Sequence, residues 1–433
     1  MALTEPSFTI GIEEEYLLVD KVTRDVASDP PEALFKACQS QIKGLVAHEF
    51  LKAQIEVNTE VCATITDARI NLKQMRTIVT EVADEYGLAP IAASTHPFSR
   101  WQEQSPTKRK RYKVIAQDLQ TVVRRLMICG MHVHIGIDND ELRLDLMNQV
   151  TYFLPHLLAF STSSPFWQGE DTGLKSYRLS VFDEMPRTGL PNAFDSWPEY
   201  QRHVDALVQA GLIEDATKLW WDIRPSHRYP TLEMRITDVC TRLDDAIAVA
   251  ALYLCVLRML YRLKKNNQRW RQYAPMLIEE NRWRAQRYGL DEGLVDFGRG
   301  EVVPCSELLE EIIDLVREDA DALGCVKEIE HLRTIMKNGT SGHRQLATYA
   351  AAIKRGAEKD EALIEVVDML IEETRNTGER KKSFLNFALL TRLPGLHWMR
   401  WLFSARPARH DRLRRHHRRL FHAAQRPWRR YAP

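Results

Sequence analysis

Four short stretches of this chain alternate apolar and polar residues, and their polar sides carry acids, histidines and an arginine: residues 8–19 (FTIGIEEEYLLV), 54–61 (QIEVNTEV), 131–137 (MHVHIGI) and 232–239 (LEMRITDV). A strand sends successive side chains to opposite faces. Read at that period, Glu13 and Glu15 share a face, as do Glu56 and Glu60, His132 and His134, and Glu233 and Arg235. The other faces hold Ile10 and Ile12, Ile55 and Val57, Val133 and Ile135, Met234 and Ile236. A solvated strand face mixes Lys, Thr, Ser and Gln. Carboxylates and histidines recurring on four strands point instead to a funnel that binds cations and something anionic.

Three adjacent carboxylates, Glu13, Glu14 and Glu15, repel one another on a strand. A hard divalent cation with oxygen ligands offsets that repulsion; the plainer reading is a solvated edge strand. Glu14 falls on the apolar side and is left out of the site. Glu56 draws its weight from strict flanking alternation, since exposed glutamates are common. His132 and His134 on one face suit zinc or simply half-buried histidines. Zinc needs roughly three or four ligands, usually with Cys or further His among them, whereas the remaining candidates here are glutamates, which suit Mg²⁺ or Mn²⁺ better. Glu233 beside Arg235 is either a structural ion pair or a metal ligand next to a phosphate clamp, a task for which the guanidinium fork is shaped. No P-loop, GxGxxG or GxSxG is present, so a nucleotide bound here must be held by metal ions and arginines.

The chain has 433 residues, 44% of them hydrophobic, enough for one large domain. Its formal net charge of +1 hides an asymmetry: residues 380–433 hold 15 Lys/Arg and one acid, Asp411, leaving 45 bases and 58 acids before them, a net of −13. An acidic body is not expected to bind nucleic acid. Seven scattered cysteines, odd in number and without a CxxC, read as reduced thiols used as small hydrophobes in a cytoplasmic protein. The opening MALTEPSF shows no leader pattern, and the longest apolar run, residues 246–257, is short for a membrane span.

Helical spacing is expected over residues 32–39, 67–86, 108–127 and 142–161, the last despite Pro155, and then over 242–266, 275–288, 304–323, 326–338, 342–357 and 359–375. Residues 45–61, 89–94, 219–223 and 231–239 read as extended. Residues 165–194, with Pro165, Pro186 and Pro191 and the arginines 178 and 187, form a long irregular loop of the kind that carries function. Strands early and helices late, without βαβ alternation, give an α+β fold with a largely antiparallel sheet. Domain bounds are set at 1–378, with 379–433 as a basic extension. That extension is read as a loosely ordered appendage or as a segment docking on the acidic body, on an acidic partner or on a membrane surface.

Seven separated motifs occur in order: GIEEEYLLVD, STHPFSRW, CGMHVHIGI, STSSPFWQGEDTGLKSYR, MPRTGLP, TLEMRITDV and ENRWRAQRYGLD. Together they resemble the YbdK-type carboxylate–amine ligases, the second family of glutamate–cysteine ligases, over about residues 7–376. The resemblance implies the glutamine synthetase-like fold, a curved antiparallel sheet forming a funnel with helices outside. It also implies ATP as co-substrate, Mg²⁺ with Mn²⁺ as substitute, glutamate and cysteine or another amine as substrates, and a homodimer. By motif, Glu15, His132 and Glu233 match one metal site and Glu13 with Glu56 a second, Glu49 being a further acidic ligand. Arg235 matches the contact to the transferred phosphoryl group. Arg178 matches the holder of the substrate α-carboxylate, with Arg187 beside it, and His134 stands behind the ligands. A ligase of the same mechanism with another amine, a non-catalytic ATP- or metal-binding homologue, and a zinc hydrolase using His132, His134 and Glu233 are the rival readings.

Overall fold

The computed structural model describes residues 4–107 and 120–377, which belong to one compact unit, Met1–Glu379. The expected helix over 108–127 and the basic extension from 379 on lie wholly or mostly outside the described residues; the short helix Thr121–Arg124 is described.

The alternating stretches build one seven-stranded sheet in which every pairing is antiparallel. Its strands are β1 (Ile10–Asp20), β2 (Val46–His48), β3 (Gln54–Asn58), β4 (Leu88–Ile91), β5 (Met131–Gly136) and, after four two-residue strands β6 (Phe166–Trp167), β7 (Glu170–Asp171), β8 (Thr188–Gly189) and β9 (Trp220–Trp221), β10 (Ile223–Pro225) and β11 (Thr231–Met234). The order is β10-β11-β5-β1-β3-β2, with β4 also on β1. Leu17 pairs with both Gln54 and Ile91, and Glu13 with both Asn58 and His132, so β3 runs along one edge of β1 while β5 and then β4 share the other.

Burial in β1 follows the pleat. Ile10, Ile12, Glu14 and Tyr16 are buried, while Gly11, Glu13 and Glu15 on the other face are half-buried. The buried face lies under helices, among them Ile65–Glu85, begun by a capping box in which the Thr64 hydroxyl accepts from the Asp67 amide at 3.1 Å and the Asp67 carboxylate accepts from the Thr64 amide at 3.2 Å. Glu14 is the fully buried acid on this face. Arg76 grips it with Nε at 2.9 Å and Nη2 at 2.6 Å, Tyr16 donates its hydroxyl at 2.5 Å, and Arg76 also donates to the carbonyls of Cys240 and Thr241. Two opposite charges removed from water together, with every guanidinium nitrogen engaged, are tolerable where one alone is not.

Three expectations fail locally. The helix over 142–161 is broken into Asp140–Val150, a tight turn Thr151–Phe153, and Leu154–Ser161. Pro155 lacks the N–H and crowds the carbonyl one turn back, so it is accommodated only in the first turn of a new helix. The last alternating stretch stops at Met234: the amides of Arg235 and Ile236 both donate to the Asp222 carbonyl, the two-against-one pattern of a bulge. Glu60, expected beside Glu56, lies beyond the end of β3 and is exposed. The later helices match their expected spans closely. Leu243–Lys265 is long and apolar enough to cross a membrane, but it is buried inside the protein as a core helix. All seven cysteines are buried free thiols.

Candidate active site

Register decides which acidic side chains meet. Across the opposite face of the sheet, Glu56 stands opposite Glu15, Glu13 opposite His132, and His134 opposite Glu233, which in turn faces Arg224. Two groups of ligand atoms result, each within 4.8 Å of one another: Glu15 with Glu49 and Glu56, and Glu13 with His134 and Glu233.

This regroups the motif-based assignment. Glu15 does not meet Glu233, because β5 separates β1 from β11. It meets Glu56 across the β1–β3 ladder, with Glu49 added from the segment between β2 and β3. His132 and His134 exchange places. His132 is directly opposite Glu13 and spends Nδ1 on its carboxylate at 3.2 Å, also lying 3.4 Å from Arg235 Nη1. His134 is bound through Nδ1 to the Thr231 hydroxyl at 3.0 Å, and its Nε2 lies 3.3 Å from Glu13 Oε1 but is too poorly aligned for a hydrogen bond. The second nitrogen of His134 is thereby anchored as metal-ligating histidines require. Arg187 stands apart: its Nε donates to the Lys218 carbonyl at 3.0 Å and its guanidinium covers the Trp220 ring.

The two groups differ electrically. Burial and the neighbouring Glu56 push the Glu15 carboxyl up to about 7 against the pull of Arg178, the Gly130 amide and Arg235. Burial followed by Glu56 and Glu15 raises Glu49 well above the usual carboxylate value, and burial with Glu13 raises Glu56. Three carboxyls that cannot all ionise together form a donor set made only of oxygens, which fits a hard divalent cation in place of shared protons. In the other group, burial also opposes ionisation, but Arg235, Arg224 and His134 outweigh it at Glu233, and His134 and His132 outweigh it at Glu13, so both are held below the ordinary range. Burial with Arg235 pushes His132 down to about 4, whereas at His134 Glu13 and Glu233 overcome burial and raise it.

Arginines frame the face. Arg235 is ion-paired to Glu233, and its buried Nε has no partner among the described residues. Arg224 holds Glu233 from the other side with Nε at 2.9 Å and Nη2 at 3.2 Å; its position beside Asp222 in an unremarkable WWDIRP stretch gave no signal before the ladder was known. Arg178, fully buried, donates to the carbonyls of Arg235 and Ile236 at 3.1 and 3.2 Å and covers Phe182. Its place depends on two residues passed over in the sequence. A methyl group at Gly130 would stand 2.6 Å from Arg178 Nη2, and the same glycine donates its amide to Glu15 at 2.8 Å. Asp238 fixes the surrounding loop, accepting from the Ser163 amide and the hydroxyls of Ser164 and Ser176, each at 2.8 Å. The long loop over 165–194 is thus pinned, and Arg282 clamps its Asp183 to Asp222 near the bulge.

A family model described as glutamate–cysteine ligase family 2 matches residues 9–369. The chain belongs to that family. A Rhodospirillum rubrum protein named "Putative glutamate–cysteine ligase 2" is 61% identical over 376 residues, covering 86% of this chain and 97% of the relative. A Jannaschia protein of the same name is 54% identical over 370 residues, covering 86% and 97%. Among solved structures, the glutamate–cysteine ligase of Francisella tularensis in complex with AMP superposes with a TM-score of 0.61 at 12% identity, over 90% of this chain and 92% of that one. The bifunctional glutathione synthetase of Pasteurella multocida gives a TM-score of 0.61 at 13% identity over 84% of this chain and 52% of that one. At such identities the likeness shows the fold, an α+β glutamine synthetase-like sheet with helices outside.

Proposed function

We propose that this family member is an ATP-dependent ligase that joins the γ-carboxyl of glutamate to the amine of cysteine, with catalysis in residues 1–378 and a cytoplasmic setting. The observation that carries the reading is one sheet face on which two carboxylate groups flank arginines, one of them (Arg235) with a buried, unpartnered donor. Joining a carboxylate to an amine in water is unfavourable. The substrate carboxylate therefore attacks the γ-phosphorus of ATP, releasing ADP and forming an acyl phosphate. The amine then attacks the acyl carbon and inorganic phosphate leaves.

Glu15, Glu49 and Glu56 would hold one Mg²⁺, and Glu13, His134 and Glu233 another. When bound, these ions neutralise the triphosphate and the charge that develops during transfer. Arg235 offers its donor to the transferring phosphoryl oxygens, a task that Lys cannot copy in geometry. Arg178 binds the α-carboxylate of glutamate, and its burial strengthens that pairing. Positioning and fixed charge do the work, so no protein nucleophile is required.

The test is phosphate release from the purified protein with ATP, Mg²⁺, glutamate and single amines. Release that depends on cysteine supports the reading. Release with another amine and none with cysteine would replace the named substrate, and ATP binding without release under any amine would make this a non-catalytic homologue. Size-exclusion chromatography checks the expected homodimer.

A further inference from the structure

The motif ENRWRAQRYGLD begins in the helix Pro275–Tyr288, and the chemistry above makes no use of it. The buried side of that helix carries Arg282 and Gln286, one turn apart and therefore neighbours. We propose that Arg282, seconded by Gln286, is a positioning residue: it sets the spacing between Arg178, assigned to the α-carboxylate of glutamate, and Arg235, assigned to the transferring phosphoryl group. This rests on the ligase reading and adds a residue that acts through the two arginines.

Arg178 sits in a helix that cannot hold itself. Tyr177–Phe182 has 6 residues, too few to persist alone in water. Gln286 holds its start. The last carbonyls of a helix have no partner within it, and that of Gln286 accepts the amides of Lys175 at 2.8 Å and Ser176 at 3.1 Å. The Gln286 side-chain amide also donates to the Ser180 hydroxyl at 2.8 Å. Arg282 holds the end. Its Nη1 and Nη2 donate to the two carboxylate oxygens of Asp183 at 2.7 and 2.9 Å, and Asp183 closes the helix with its amide on the Leu179 carbonyl at 2.8 Å.

The same guanidinium reaches toward the other arginine. Nε and Nη2 donate to the Asp222 carboxylate at 2.7 and 3.2 Å. Asp222 is buried, its amide fixed to the Gly189 carbonyl at 2.8 Å, and its own carbonyl takes the amides of Arg235 at 2.8 Å and Ile236 at 3.1 Å. Arg178 in turn donates to the carbonyls of Arg235 and Ile236. The contacts close a ring that runs from Arg282 through Asp222, the bulge with Arg235, Arg178 and its helix to Asp183, and back to Arg282. Both substrate arginines are members of it.

Stability alone does not call for such a group, because a buried ion pair is often no more stabilising than apolar packing of similar volume. What a planar fork supplies is geometry: it fixes two carboxylates from separate segments in distance and angle, which the point charge of a lysine does not. Attack of a bound carboxylate on a phosphoryl group requires the reacting atoms to be held about 3–3.5 Å apart, and the arginines that grip the two reactants govern that separation.

The test compares the full-length wild type with Asp183→Ala, Asp183→Asn and Arg282→Lys. The Asp183 side chain is 34% exposed, and its loss leaves Arg282 paired with Asp222, so Asp183→Ala is the variant expected to fold as wild type does. Measured are kcat and KM for each substrate by phosphate release, binding of ADP with Mg²⁺ by calorimetry, and amide hydrogen exchange over residues 176–183. Asp183→Ala should lower kcat/KM for glutamate on the order of 10- to 100-fold, speed exchange over 176–183 and bind ADP as wild type does. Arg282→Lys, which keeps the charge without the fork, should lose as much, whereas Asp183→Asn, which keeps an acceptor oxygen, should retain most of the activity. Wild-type kinetics with glutamate in Asp183→Ala would overturn the assignment, as would unchanged exchange over 176–183 or an equal loss of ADP affinity, the mark of general loosening. A wild-type protein that turns over with no amino acid defeats the ligase reading itself; wild-type turnover that the variants share defeats only the positioning role.

Discussion

The acidic group Glu15, Glu49 and Glu56 makes a prediction about the protein in the absence of divalent cations. Glu15 is pushed up to about 7 from an ordinary 4.5. The folded state therefore binds a proton there that the unfolded chain has released, so stability is fully present below pH 4.5 and is lost as pH rises to 7. The span of 2.5 units corresponds to a ceiling of about 3 kcal/mol, lowered in practice because Glu49 and Glu56 share the same protons. Other groups act in the same range. Burial pushes His96, His132 and His156 down to about 4, and these pull the opposite way, adding stability as pH rises from 4 to 6.5. Glu13 and Glu233, held below the ordinary value, change stability only under pH 4.5.

The comparison that isolates Glu15 is thus wild type against Glu15→Gln in EDTA, by thermal or urea denaturation between pH 4.5 and 7.5. The histidines cancel in the difference. Wild type should lose stability relative to the variant as pH rises, by 1–3 kcal/mol as an order of magnitude, and Mg²⁺ at pH 7.5 should restore wild type more than the variant. A difference that is flat with pH, or that grows in favour of wild type, would refute the claim that these carboxyls crowd one another.

Other substitutions probe separate parts. Gly130→Ala should displace Arg178, raising KM for glutamate by tenfold or more while leaving KM for ATP near wild type, on the scale of about 1.4 kcal/mol per tenfold; steady-state kinetics decides. Arg235→Lys should keep the fold and lower kcat by roughly 100- to 1,000-fold, the scale for removing one well-placed donor to a developing charge. Arg76→Met leaves Glu14 buried without its partner and should cost about 3–5 kcal/mol in urea denaturation, although neither residue touches substrate. Deleting residues 379–433 should leave kcat and KM unchanged if that segment is an extension of the ligase domain; loss of turnover in a soluble deletion protein would tie it to catalysis.

Period-two alternation was enough to place Glu13, Glu15, Glu56, both histidines and Glu233 on one face, and to set Glu14 apart from them. That information is local: the pleat alone fixes which side a residue takes. The α+β class and most helix limits were legible for the same reason, because apolar spacing and caps act within a few residues. The grouping of ligands was not. Which acid meets which depends on the order β11-β5-β1-β3 and on ladder register, properties of residues 41 positions apart for Glu15 and Glu56, 99 for His134 and Glu233, and 119 for Glu13 and His132. His134 rather than His132 joins Glu13 and Glu233 because Glu233 stands opposite it. Arg224, Gly130 and Asp238 were silent in the sequence, since a lone arginine, glycine or aspartate acquires a role only when another strand or loop is brought against it. The sequence determined the chemistry available on the sheet face; pairing between distant strands decided which of those side chains lie together.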